Sequence, residues 1–415
     1  VEEPFRYRER PEDFIVEELV AEPEAERADG THIWFTVEKR DLSTPAAARR
    51  IAKALGRRGT DVSFAGRKDA VAITRQRMSV EHVEPGELMG LELDGLLISA
   101  PRRHQRKLRL GELRGNRFEL VLRGVVPGCV PRLAAGLERM AAEGVANLYG
   151  EQRFGPDGAG LEIARLLVFG PAEGYLEALG RAGRPEQVQP ALELLRRAVS
   201  GTSGERRRAV ELCPDLPLDL VPVAKQLARR RTEDVEELLA AVPRVSRAFH
   251  LAILQAKVFN DVLARRIREG TSAQALEGDL VLREDGRHGY VSPERPAPAG
   301  AMPSGPMWAP GLRLAEGGPG EIERAAFEAE GLSPDHPERP GGLSPRGSRR
   351  ELRVPVSEPV LDGVEDGVDD GVDDGAGDAE APVDCRDVRL RFGLPSGAYA
   401  TVVLDELRAA CLDPR

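Results

Sequence analysis

The sequence predicts an α+β protein in which strand-rich ends flank a helix-rich centre. Near both ends, short apolar runs such as Phe14 to Leu19 and Val388 to Phe392 alternate with the period of two expected of half-buried strands. Between about Gly158 and Arg268 the pattern is instead mostly helical. At 415 residues the chain is also long enough for two or three domains with real cores.

Taken in order, Pro11 to Leu19 reads as a turn and a strand with Phe14, Val16 and Leu19 on the buried side, and His32 to Val37 as its neighbour. Thr44-Pro45 opens a helix: threonine caps the free amides, proline suits the first helical position, and Gly56 ends the run. Leu88 to Ser99 has strand-like content, and Phe118 to Leu122 is a strand with alternating faces. A helix follows from about Pro131 to Glu143, and another from Ser246 to Arg268. Strands return between Leu276 and Tyr290, Pro293 to Gly311 reads as loop, and Glu321 to Gly331 as a helix with a glycine stop. Gly363 to Asp374 repeats glycine, valine and two acids in fours, which cannot pack and reads as a mobile loop; its aspartate spacing fits no EF-hand. After the strand Val388 to Phe392, Pro395 and Ser396 start a helix with Tyr399 in its first turn.

Composition narrows the functional classes. Cys129, Cys213, Cys385 and Cys411 form no Cys-x-x-Cys pair, which argues against zinc knuckles and a disulfide framework and suits a reducing, cytoplasmic setting. No basic leader precedes an apolar region and no run of about 18 apolar residues occurs, so neither secretion nor a membrane span is expected. The net charge of −10 is misleading for a nucleic-acid partner, because nine acids sit between Leu361 and Glu380 without one basic residue. Elsewhere the basic residues cluster, at Arg49 to Arg58, Arg102 to Arg109, Arg206 to Arg208, Arg229 to Arg231 and Arg346 to Arg353. Any one cluster is an ordinary solvated face; together they favour contact with RNA. Three asparagines among abundant arginine and glutamate suggest a thermophilic source.

Two stretches carry candidate chemistry. In Phe64-Ala-Gly-Arg-Lys-Asp69 an apolar run ends in a glycine turn that presents Arg67, Lys68 and Asp69, a carboxylate between cations. In Gly115-Asn116-Arg-Phe118 an amide that donates and accepts hydrogen bonds shares a strand face with an aromatic ring two residues on. Such a pair can hold a flipped base, Asn116 reading an edge and Phe118 stacking; the plainer alternative is a capped strand with a core phenylalanine.

Together these motifs resemble the TruD family of pseudouridine synthases, which modify tRNA at uridine 13. The matching residues are Pro11-Glu-Asp-Phe14-Ile-Val-Glu17; Phe64-Ala-Gly-x-Lys-Asp69 with Ala72, Thr74 and Gln76; His104 with Lys107 to Gly111, Gly115-Asn116-x-Phe118; Asn147 with Tyr149-Gly-x-Gln-Arg-Phe-Gly155; and Phe392-x-Leu-Pro-x-Gly397 with Tyr399-Ala-Thr-Val-Val. The centre matches more loosely, through Gln255-x-x-x-Phe259-Asn260, Pro303-Ser-Gly-Pro306 and Gly347-x-Arg-Arg350.

The resemblance implies a pseudouridine-synthase catalytic domain around a bent, mainly antiparallel sheet, built from residues 1–148 and 348–415, with an inserted mixed α/β TRUD domain at 149–347; the composition adds a disordered acidic loop at 361–380. The resemblance also implies Asp69 as nucleophile, with Phe14, Asn116 and Tyr399 lining a uridine pocket and Phe118 stacking near the base. Lys68, Arg67 or an arginine from the middle domain would keep Asp69 charged. Tyr399 stands where bacterial relatives typically carry phenylalanine. The implied partner is tRNA, with no cofactor, metal or protein partner, since the isomerisation adds no group and changes no redox state. A second reading is a non-catalytic RNA-binding or RNA-folding factor, whose signature would be loss of the aspartate or asparagine; both are present. A metal- or nucleotide-dependent enzyme finds no His-Glu-x-x-His and no phosphate loop.

Overall fold

The computed structural model describes residues 3–20, 29–68, 71–181, 202, 204, 219–229, 235–333, 347–364 and 386–412. The chain divides into two compact units, one made of Val1–Val145 with Val354–Arg415 and the other of Ala146–Arg353.

The first unit is a mixed α+β fold on an eight-stranded sheet. A 3₁₀ turn at Pro11–Asp13 leads into β1 (Phe14–Leu19), followed by β2 (His32–Arg40), α1 (Thr44–Ala54), β3 (Ser63–Phe64), β4 (Ile73–Glu81), α2 (Pro85–Met89), β5 (Leu96–His104), β6 (Gly115–Val125) and α3 (Val130–Glu143). Leu88 and Met89 thus belong to a short helix rather than a strand, because Pro85 starts a turn of helix that closes before Gly90.

In the second unit come α4 (Ala159–Phe169), α5 (Ala172–Arg181), α6 (Val221–Arg229), α7 (Val235–Ala241) and the long α8 (Arg244–Arg268). A hairpin of β7 (Leu280–Leu282) and β8 (His288–Tyr290) precedes β9 (Ser304–Met307), α9 (Gly317–Ala329) and β10 (Ser348–Glu351). Strand β9 falls inside the stretch expected to be loop. Gly305 and Pro306 hide it from propensity, yet it pairs antiparallel with β10, and a side chain at Gly305 would meet Phe259 and Leu352 at 3.0 and 2.9 Å.

The chain returns to the first unit with β11 (Ser357–Gly363), β12 (Arg386–Pro395) and α10 (Ala400–Leu412). Leu361 to Gly363, expected to begin the acidic loop, extend β11 in register with β12, and the Val364 amide donates to Asp387 O; residues 365–380 lie outside the described residues. Strand β12 also runs further than expected, to Pro395, which pairs with Gly115, and the Ser396 amide donates to Arg114 O. Helix α10 therefore starts at Ala400, after a turn in which Gly397 takes φ +85°, and Tyr399 immediately precedes the helix rather than occupying its first turn.

The sheet order is β11-β12-β6-β1-β4-β2-β5, with β3 on β4. Only the central β1–β4 pair is parallel among these. Register and alternation put Phe14, Val16 and Glu18 of β1 on one face with Asn116, Phe118 and Leu120 of β6, Leu390, Phe392 and Leu394 of β12, and Thr74 and Gln76 of β4. Towards β2 this face becomes the core under α1, where Ile33, Phe35, Val37, Met78 and Val80 pack on Ala47, Ala48 and Ile51. Glu18, not Leu19, takes the third buried position of β1. Its carboxylate is held there by a buried lysine.

Both ends of the chain are tied to β6 by one cation. Arg123 donates from Nε to Asp13 Oδ1 at 3.1 Å and also binds Asp387, whose carboxylate accepts the Gly124 amide at 3.0 Å. The hydrogen bond that Arg123 donates to Asp13, itself fully buried, holds the guanidinium above its ordinary pKa.

Candidate active site

The glycine turn after β3 is fixed from behind and from within. Behind it, Ala65 is buried against Trp34 and Leu108, and its carbonyl accepts the Gly111 amide at 2.8 Å. Trp34 stacks on His104 with ring centroids 4.0 Å apart and donates from Nε1 to Arg106 O at 2.7 Å, while the Leu108 amide donates to Ser79 Oγ at 3.0 Å. The stretch from His104 to Gly111 is thus the scaffold on which the turn rests.

Within the turn, Gln76 Nε2 donates to Gly66 O at 3.0 Å, and Gln76 Oε1 accepts from Thr44 Oγ1 at 2.8 Å. The same hydroxyl accepts the Lys68 amide at 2.9 Å. Thr44 is therefore not the helix cap that its position suggests. It is the first residue of α1, Ser43 stands at the cap, and the hydroxyl, using its donor and its acceptor at once, clamps the turn.

Lys68 Nζ lies 2.8 Å from Glu18 Oε2, with the two side chains only 4% and 1% exposed. Glu18 Oε1 accepts the Arg77 amide at 3.1 Å. Charges this dry persist only as a pair with further hydrogen bonds. Burial draws the Arg77 guanidinium below its ordinary pKa, and the nearby Glu18 carboxylate opposes that. Arg67 is exposed. Asp69 lies outside the described residues.

Across the sheet, Glu18 is the register partner of Asn116, and Asn116 in turn of Leu394. The Asn116 Oδ1 is buried without a hydrogen-bond partner among the described residues. Such an atom costs free energy unless something fills it. Phe118, on the same face, stacks on Phe392 at 5.3 Å and meets Phe14 edge-on at 6.2 Å. Phe14 and Phe118 are themselves buried, and the Arg8 guanidinium sits 3.8 Å from the centre of the Phe14 ring. Arg8 holds φ +61°, a left-handed conformation that a non-glycine residue adopts only under constraint. Tyr399 differs from these in being 38% exposed.

The face therefore brings Phe14, Asn116, Phe118 and, through Glu18, Lys68 into one neighbourhood. Sequence reasoning missed Arg8, Glu18 and the fully buried Lys39, whose register partner Thr74 lies on this face. A signal for Glu18 was present, since the apolar alternation of Phe14 and Val16 falls next on a glutamate.

Residues 5–407 match the sequence model of the family described as TruD, tRNA pseudouridine synthase D. The chain is 34% identical over 408 residues to tRNA pseudouridine synthase D of Geobacter sulfurreducens, covering 97% of this chain and 93% of that one. Its identity to the protein of the same name from Anaeromyxobacter dehalogenans 2CP-C is 32%, over 97% and 92% of the two chains. The Methanosarcina mazei crystal structure that carries the TruD name superposes with a TM-score of 0.69 at 25% identity, covering 98% of this chain and 93% of that one. Fold and relatives together define a pseudouridine synthase, an isomerase of the tRNA-modifying class. Within that class, the chain belongs to the TruD family. Among the described residues no helix is long and apolar enough to cross a membrane.

Proposed function

We propose that the protein converts uridine 13 of tRNA to pseudouridine, with Asp69 as nucleophile acting on a base turned out of the RNA stack. One observation carries the proposal: Lys68, the residue before Asp69, is ion-paired to Glu18, the register partner of Asn116, whose buried Oδ1 has no hydrogen-bond partner among the described residues. The amide suits the N–H edge of a uracil. Phe14, Phe118 and Phe392 form the apolar wall beside it, and Tyr399 presents an accessible ring on which the extruded base can stack.

The reaction breaks the N1–C1′ bond, turns the uracil and joins C5 to C1′; C5 loses its proton and N1 ends protonated, so atoms and charge balance without a co-reactant. An ionised carboxylate serves each available route, by attack at C1′, by attack at C6, or by supporting a glycal intermediate. Arg67 and Lys68 precede Asp69 in the chain, and a cation close to a carboxylate favours its charged form. In this reading residues 1–148 and 348–415 form the catalytic domain, and the inserted domain with the basic clusters holds the RNA backbone, so affinity falls steeply with salt.

The test uses unmodified tRNA transcripts incubated with the intact protein and with Asp69→Ala, followed by carbodiimide modification and primer extension. A stop at uridine 13 that disappears with Asp69→Ala, while RNA binding persists, is the expected result. Binding without product from the intact protein overturns the proposal and leaves an RNA-binding factor.

A further inference from the structure

The turn that ends at Lys68 is pinned at three of its own atoms by groups with no part in holding a base: Gly66 O by Gln76, the Lys68 amide by Thr44, and Lys68 Nζ by Glu18. The third pin is the costly one. Both charges are taken almost wholly out of water, and a pair of apolar side chains of similar volume would generally stabilise the fold as well or better. What an ion pair adds is direction, because the ammonium is held where the carboxylate is, and this carboxylate is fixed in turn to the sheet by the Arg77 amide. Strand β1 carries the anion, and its parallel partner β4 supplies both the Arg77 amide and Gln76. The central pair of the sheet thereby sets the place of the turn.

We infer that Glu18 is a positioning residue that, through Lys68, fixes the backbone from which Asp69 extends. The inference rests on the proposed role of Asp69. Reactions of this kind depend on near-attack geometry, and a displacement of about 1 Å costs on the order of 100-fold in rate. A residue that acts only through Lys68 is expected to show its loss in turnover and not in RNA affinity.

Two variants separate positioning from bulk stability. Glu18→Gln keeps the shape and the acceptor for Arg77 but removes the charge; Glu18→Gln with Lys68→Met also removes the stranded ammonium, so the thermal midpoint lost in the single variant returns. Three quantities are measured for each: single-turnover pseudouridine formation, the Kd for tRNA, and hydrogen exchange of the peptide containing residues 64–68. Both variants are expected to lose roughly 10- to 100-fold in single-turnover rate with Kd within about two-fold of the parent. The 64–68 amides should exchange several-fold faster. A double variant with the parent's rate and protection would show that the pair is only structural and would overturn the inference. Should the parent itself form no pseudouridine, the functional proposal falls, and exchange alone decides the positioning: unchanged protection in Glu18→Gln sinks it.

Discussion

Replacing Thr44 by valine keeps its size and removes one oxygen, and the structure says what that oxygen does. It accepts the Lys68 amide at 2.9 Å and donates to Gln76 Oε1 at 2.8 Å, at a residue with no exposed surface. Valine leaves a donor and an acceptor in a place water does not reach, each costing about 1–3 kcal/mol. The two groups are neighbours in one network and their costs do not fully add, so the expected destabilisation is about 2–4 kcal/mol. Serine is the control: it keeps the oxygen and loses one buried methyl, worth about 1 kcal/mol. The assay is guanidinium and thermal unfolding of Thr44→Val, Thr44→Ser and the parent, read alongside native-state exchange of the Lys68 amide. The valine variant should fall roughly 4–16 °C in Tm and lose Lys68 protection, and serine should retain most of both. Equal stability of valine and serine would show that the hydroxyl is a bystander and that the clamp is wrongly drawn.

Asn116→Ala should leave unfolding stability within about 1 kcal/mol of the parent, because the buried Oδ1 has no hydrogen-bond partner among the described residues, while product formation on tRNA falls by on the order of 100-fold; a large stability loss with normal turnover would refute its role. Gly115→Ala would set a methyl 2.2 Å from Leu394 O, where only backbone can yield, so β6 and β12 must part and stability should drop by about 1–3 kcal/mol or more, as denaturant midpoints will show. His250 is pushed below its ordinary pKa by burial, next to Tyr175. The unfolded chain therefore takes up the proton first, stability contributed by this site is lost as pH falls below about 6.5, and the slope of Tm against pH should flatten in His250→Gln. Burial, with Cys129 beside it, pushes the Cys411 thiol up to about 12. In the folded protein it should resist iodoacetamide at pH 9 and react fully in guanidinium.

Much of the sheet was legible because strands announce themselves by alternation. The same rule placed Asn116 and Phe118 on one face, and the register with Phe392 and Leu394 bears that out. At Glu18 the rule held and the reading departed from it, taking Leu19 as the third inward position because a glutamate belongs inside only when a cation meets it; the lysine that does so comes from another strand connection, and no local pattern announces that meeting. Thr44 misled for a related reason. A threonine before proline is a good cap by propensity, yet its hydroxyl is spent on Lys68 and Gln76, contacts that exist only once β4 lies beside α1. Strand β9 was hidden by Gly305 and Pro306, and the glycine is dictated by close approach to Phe259 and Leu352.

The pairing of Phe118 with Phe392 has a consequence for biosynthesis. The ribosome makes β6 well before β12, with all of Ala146–Arg353 between them. At roughly 5–20 residues per second the edge of β6 that will receive β12 waits on the order of ten to fifty seconds without its partner. During that interval an unpaired edge and the Phe118 ring are available to other nascent chains. The same delay means that a chain cut short anywhere before β12 lacks one wall of the aromatic face, so translation itself withholds that face until the inserted unit has been made.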